Sequence, residues 1–418
     1  MNALSSLKRS CWCCIMVLAA VLTACQSEEA AQPAPPAVSV PEQTPSTEPI
    51  PEEPVQQPAY TAPLTGLDVE QPDDARPIAV MINNALAARP QSGLAQADMV
   101  YEVLAEGGIT RLIAVYQSYH GDVTIGPVRS IRPYLIHIGD TLHALLVHAG
   151  GSTDAYSILQ RDDTEHLDEI TNASAPFWRD SSRKAPHNLY TNEVKLREAA
   201  QKKGYAETVT LPTFSFVHGA EQSATSSTDT GDSGATDAAI TPPTDAMDSN
   251  TAGTATEMSD PTVSNTSPAG ERSAYTAREQ ATTIELRFLL DSYKVGYLYN
   301  EATGLYKRQM NGEDHIDLNT GKVLTAANVL MLGGDYKVLD DVGRLSLDMN
   351  SGGEAILFQQ GNMISGQWSR KSGDVIRFYQ DGKEVPFVPG VTYYNIVPNS
   401  GSFNSHLTID GEKMDGNG

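Results

Sequence analysis

Cysteine is nearly missing from this 418-residue chain: all four (Cys11, Cys13, Cys14 and Cys25) lie within the first 25 residues. The remainder therefore has no disulfide, no thiolate metal site and no cysteine nucleophile. Positive charge is scarce as well. The 29 Lys and Arg face 52 Asp and Glu, a formal charge of −23, which argues against nucleic acid as a partner, since phosphate backbones attract basic surfaces. The deficit is local: residues 26–63 hold six acids and no basic side chain, residues 219–270 hold eight and none. The rest of the chain is only mildly acidic. Catalytic signatures are absent too. No nucleophile elbow, Walker loop, zincin helix or dinucleotide fingerprint is present, so an enzymatic role stays open, with no catalytic residue assigned and no cofactor or metal expected.

The first 25 residues read as a secretory leader. Lys8 and Arg9 form a charged start, and Trp12–Leu22 is an apolar stretch too short to span a bilayer comfortably. Leu22-Thr23-Ala24-Cys25 has the form of a bacterial lipobox, an apolar residue and two small ones before the cysteine that takes the lipid. The expectation is cleavage before Cys25, acylation (palmitate) there, and a body held at the outer face of the cell membrane. Residues 26–63, rich in Pro, Glu, Gln and Ala, cannot bury a core and read as a disordered, extended tether.

Arg76–Asn83, Asp98–Leu104 and Ile109–Gln117 read as strands, the last two joined around Gly107-Gly108; a helix over Gln96–Glu106 is the alternative for the second. Apolar residues at helical spacing over Ile131–Leu142, with Pro133 early, predict a helix. Ala144–His148 reads as a buried strand, Ser152 as the cap of a helix reaching Arg161, and Thr191 as the cap of another reaching Lys203. Alternation of strand and helix makes residues 64–218 an α/β domain with a mixed sheet. Residues 219–274, low in complexity and without aromatics, read as a disordered insertion. Short strands separated by turn signals such as Asn311-Gly312 and Asp381-Gly382 make residues 275–400 a mainly β domain, and residues 401–418 are expected to be a flexible tail.

Candidate chemistry gathers in two places. Arg111, Arg129 and Arg132 sit at predicted strand and helix ends, and guanidinium forks match carboxylate or phosphate oxygens. The alternative is that they pair internally with Glu102, Glu106 or Asp140. The second place is the donor-rich loop Phe177–Tyr190, with Trp178, Arg179, Asp180, Arg183, Lys184, His187 and Asn188. His148, after a buried strand and before Gly150-Gly151-Ser152, is either a structural histidine or a base, as His187 could be; Glu102 or Glu106 would be the matching acid. His315 and Asp317 make only a two-ligand metal signal.

PLTGL (63–67), RPIAVMINN with ARPQSGL (76–94), ADMVYEVLAEGGITR (97–111), IGPVRSIRPY (125–134), FWRDSSRKAPHNLYT (177–191) and GLYKRQMNGEDHIDLNTGKVLTAANV (304–329) resemble the YerB-type lipoprotein family. That resemblance implies a two-domain lipoprotein of unknown function from Gram-positive bacteria. A strand ending in arginine followed by Arg-x-x-Arg is also similar to the LytR-CpsA-Psr glycopolymer transferases, but the acids that accompany those arginines are replaced here by Leu112, Ile113 and Pro133. The resulting expectation is a binding or accessory module for an anionic envelope ligand or a cell-wall synthesis partner. The competing one is an enzyme acting on a phosphorylated or lipid-linked wall precursor.

Overall fold

A twelve-stranded sheet organises the body, and both sides of the predicted insertion contribute strands to it. The computed structural model describes residues 60–217 and 279–414. The leader, Cys25, the tether up to residue 59 and the 219–270 stretch lie outside the described residues.

The N-terminal part supplies β1 (Ile78–Asn83), β2 (Met99–Leu104), β3 (Thr110–Tyr116), β4 (Leu145–His148) and β5 (His166–Asp168). Pairing is mixed: β2, β3 and β1 are antiparallel neighbours, while β1, β4 and β5 run parallel. β1 to β4 are buried along their whole length, as strands covered on both faces must be. Three helices attend them. α1 (Pro133–Thr141) starts at the helix-tolerated Pro133; α2 (Thr153–Arg161) is capped by Ser152, whose Oγ accepts from Ala155 N at 3.2 Å. α3 (Glu193–Lys203) is capped one residue later than the sequence predicts: Asn192, not Thr191, accepts from Lys195 N at 2.9 Å. Thr191 is instead tied to Pro176 O and Ile125. α1 approaches the sheet so closely at Gly139 that a Cβ there would lie 2.2 Å from Leu146 Cδ2.

Between β5 and α3 the loop Phe177–Tyr190 is an ordered hairpin of β6 (Trp178–Arg179) and β7 (Leu189–Tyr190). The C-terminal part is mainly strands. β8 (Thr283–Arg287), β9 (Lys294–Asn300), β10 (Leu305–Met310) and, near the end, β17 (Leu407–Ile409) belong to a second sheet of seven strands. β11 (Asn328–Gly334), β12 (Gly353–Gln359), β13 (Asn362–Ser369), β14 (Arg377–Gln380), β15 (Lys383–Glu384) and β16 (Thr392–Pro398) extend the large one. β16 lies parallel between β11 and β2, with Tyr394 opposite Tyr101 and their rings stacked at 4.4 Å.

Strand alternation separates two cores. Val80, Val100, Val329 and Met331 face the side covered by α3 and the seven-stranded sheet; Met81, Val103, Leu330 and Leu332 face α1 and α2. Two boundaries differ from the sequence reading. Tyr60–Thr61, placed in the tether, pairs with Asp68–Val69. The tail expected to be flexible carries Phe403, Leu407 and Ile409 into the core, because β17 completes the second sheet against β8. Residues 415–418 lie outside the described residues.

Candidate functional site

The C-terminal ends of β1 and β4 and the start of α1 converge on Arg111, Arg129 and Arg132. Arg111 stands opposite Asn83 in the β1–β3 register and opposite Val103 in β2–β3. It is 2 % exposed, its Nη1 donates to Ser130 O at 2.7 Å, and its Nε has no partner. No carboxylate among the described residues lies within ion-pair distance of it. Burial pushes its pKa down to about 10, with the Arg132 charge pushing the same way.

Arg129 is fixed by its backbone. Its N–H donates to Met81 O (2.7 Å) and its carbonyl accepts from Ala149 N (3.0 Å), which seats it across β1 and the end of β4. Its side chain is half-buried and makes no hydrogen bond or ion pair among the described residues; burial and then Arg132 lower its pKa. Arg132, the residue before α1, pairs through Nε with Glu106. Burial alone would raise the Glu106 carboxyl, but Arg132 outweighs it and holds the group below its ordinary value. The cluster thus holds three guanidiniums and one carboxylate.

His187 joins from the hairpin. Asn83 Oδ1 accepts from Ala85 N (3.0 Å), which turns the Asn83 amide nitrogen toward His187 Nδ1 at 2.9 Å. An amide nitrogen only donates, so Nδ1 is the acceptor and the ring's proton sits on Nε2. Desolvation, then Arg129 and Arg183, lower the His187 pKa and favour the neutral ring. In that tautomer it offers a donor, not a base. Asn83 was legible only as the last residue of a strand; its orienting role needed the loop's position.

The other candidates are used elsewhere. Arg179 is held by Glu169 and by Asn188 Oδ1, each at 3.2 Å, and Asn188 is buried, donating to Asp180 O. Arg183 donates to Ala88 O (2.6 Å) and Pro90 O (2.7 Å), pinning the hairpin to the loop after β1. Trp178 is half-buried within the hairpin and Lys184 is exposed on it. His148 is fully buried, donates from Nδ1 to Gly150 O at 2.9 Å and stacks on His166 at 5.3 Å. With Nδ1 spent on a backbone carbonyl and the ring packed on His166, these contacts support the structural reading of His148 over that of a base. A cleft of about 480 Å³ between Asp73, His120, Glu193 and Arg197, beside the start of β4, contains none of the candidates.

Glu102 also proves to be something other than a site acid. Adjacent strand residues face opposite ways, so Glu102 points away from Arg111 and into the core shared with the seven-stranded sheet. There it pairs with Arg308 of β10, both side chains fully buried. Glu102 Oε1 also accepts from Asn84 Nδ2 (3.0 Å) and Thr110 Oγ1 (2.6 Å). Arg308 donates to Tyr297 OH and, through Nε, to His315 Nδ1 at 3.1 Å; His315 Nε2 then donates to Gln91 Oε1 at 2.7 Å. Gln91 Nε2 returns to Asn84 Oδ1 (2.8 Å), closing a ring. Burial opposes the Arg308 charge, but Tyr297 and Glu102 outweigh it and raise its pKa. His315 is thus consumed by this network, and Asp317 Oδ1 accepts from Asn319 N and Thr320 N; the two do not form a metal pair. Arg308 and Gln91 carried no sequence signal of their own.

Two family signatures match, described as the N-terminal domain (residues 64–206) and the C-terminal domain (residues 284–394) of a protein of unknown function, DUF3048. The chain belongs to the DUF3048 family. The Bacillus subtilis (strain 168) protein YerB, named as a lipoprotein, is 33 % identical over 338 residues, 81 % of this chain and 86 % of its own length. A crystal structure of the Bacillus subtilis YerB protein is similar with a TM-score of 0.65 and 30 % identity, covering 84 % of this chain and 99 % of the other. The DUF3048 signatures cover the arginine cluster with the first match and Arg308 with the second.

Proposed function

We propose that this protein is a lipid-tethered extracytoplasmic module that binds an anionic group at Arg111, Arg129 and Arg132, with His187 as an additional donor. The observation that carries the reading is Arg111: a buried guanidinium whose Nε has no partner, beside Arg129, whose side chain makes no hydrogen bond or ion pair among the described residues. Buried charge without compensation is costly and is normally paired, and an anion delivered from outside would pair it. The fixed tautomer of His187 favours binding over acid–base chemistry. Anchoring through Cys25 at the outer membrane face, toward a cell-envelope component or a cell-wall synthesis protein, is supported by the lipobox and by the lipoprotein name of the relative.

Titration calorimetry of the full chain in nonionic detergent, with inorganic phosphate and pyrophosphate as probes, tests the site. The wild type is expected to bind, and Arg129→Ala with Arg132→Ala to lose at least tenfold in affinity while keeping its unfolding transition. Loss of folding in that double variant, or unchanged affinity, would show the arginines to be scaffold. Labelled palmitate should enter the wild type and not Cys25→Ser.

A further inference from the structure

The charge balance at the arginine cluster points to what the anion is. We infer that the site takes a phosphate monoester, a group carrying two negative charges, seated between Arg111 and Arg129 beside the Arg132–Glu106 pair. This rests on the reading of the cluster as an anion site and goes beyond it.

Three guanidiniums meet one carboxylate. Arg132 is already neutralised by Glu106, which leaves Arg111 and Arg129 as two positive charges with no acid of their own among the described residues. A carboxylate or a phosphate diester brings one negative charge and leaves one guanidinium uncompensated. A phosphate monoester brings about two at neutral pH and closes the balance without displacing Glu106. Oxygen count agrees with charge: a monoester presents three terminal oxygens, enough for a fork from Arg129, the unpartnered Arg111 edge and the His187 Nε2–H. Pyrophosphate carries more negative charge than the two arginines offer, and the Glu106 carboxylate in the same cluster adds to the excess. Glu106 sits on the three-residue turn Glu106–Gly108 between β2 and β3, with Gly107 and Gly108 at positive φ (70° and 74°). Its carboxylate is held in the cluster by the ion pair with Arg132.

The probes that separate these cases are methyl phosphate, dimethyl phosphate and acetate, titrated at pH 8 into the full chain in nonionic detergent. Methyl phosphate is expected to bind at least tenfold more tightly than either monoanion. Arg129→Ala, which removes one of the two unpaired charges from a half-buried position, should compress that preference to below threefold. Glu106→Gln should raise affinity for pyrophosphate by more than it raises affinity for methyl phosphate. Dioctanoyl phosphatidate distinguishes the source of the group: affinity tenfold above methyl phosphate assigns a lipid headgroup, and equal affinity assigns a soluble or wall-borne phosphate. Equal binding of mono- and diester by the wild type would overturn the monoester inference and leave the anion site standing. Absence of binding by every anion would overturn both.

Discussion

Replacing Arg308 by methionine should be among the most damaging single changes in the core, and the structure says by how much. The guanidinium is fully buried. Methionine would roughly fill its volume, but Glu102 would keep its charge with only Asn84 and Thr110 to solvate it. Orphaning one member of a buried pair costs about 3–5 kcal/mol. Contacts of Arg308 over the Tyr297 and Tyr393 rings, at 5.3 and 5.1 Å, would also be lost, so the upper half of that range is expected. Removing both charges together, as in Glu102→Leu with Arg308→Met, takes away the uncompensated carboxylate, and the double variant should be at least 1–2 kcal/mol more stable than the sum of the single changes implies. Equilibrium urea unfolding followed by fluorescence supplies all four corners of the cycle, with constant slope as the check that the denatured state is unchanged. A loss below 1 kcal/mol for Arg308→Met, or strict additivity in the cycle, would refute the claim that this pair locks β10 to β2.

Acid sensitivity should trace in part to His148. Burial lowers its folded pKa to about 4, below the ordinary 6.5, while the nearby Asp168 opposes the shift. Stability is therefore complete above about pH 6.5 and falls as pH drops toward 4, because the unfolded chain takes up a proton that the folded one refuses, by up to about 3 kcal/mol. His148→Asn should flatten that limb of a stability–pH curve measured by chemical denaturation; an unchanged limb would remove His148 from the account. Ser152→Ala, which deletes the cap on α2, should cost about 1 kcal/mol, read as a lower melting temperature with the anion affinity unaltered.

Local chemistry explains what could be read in advance. Ser152 announces α2 because a hydroxyl that accepts from the third residue on is a local device, and Pro133 opens α1 for an equally local reason. β1, β2 and β3 were legible from their apolar and β-branched runs. β11 was not singled out: Asn328–Gly334 is an apolar run buried like β1–β3, but only Val329 in it is β-branched and two glycines close it, so its composition favours a strand less. The shared sheet was also hidden, since nothing within Thr392–Pro398 says that its neighbour will be a strand nearly three hundred positions earlier. At the site, the arginines were visible by type and spacing, and the three named in advance do meet. Which acids they would face was not. Glu102 and Glu106 lie four apart on β2 and the turn after it, yet one is consumed by Arg308 in the opposite core and the other pairs with Arg132. Strand alternation decides between them, and it depends on a boundary that sequence places only to within a residue or two. His315 attracted attention as a metal ligand for its chemistry, while its actual partner, Arg308, is seven residues away across a turn.

The position of β16 has a consequence for the order in which the molecule can be built. A chain that emerges from its N-terminus exposes β2 early, with β3 ready to cover one edge and nothing available for the other. That second edge is closed only when Thr392–Pro398 emerges, nearly three hundred residues after β2. Until then the large sheet has an open seam in its middle, and its two portions cannot zip together. The large sheet is thereby kept from closing until Thr392–Pro398, the most C-terminal of its described strands, inserts between two neighbours made well before it.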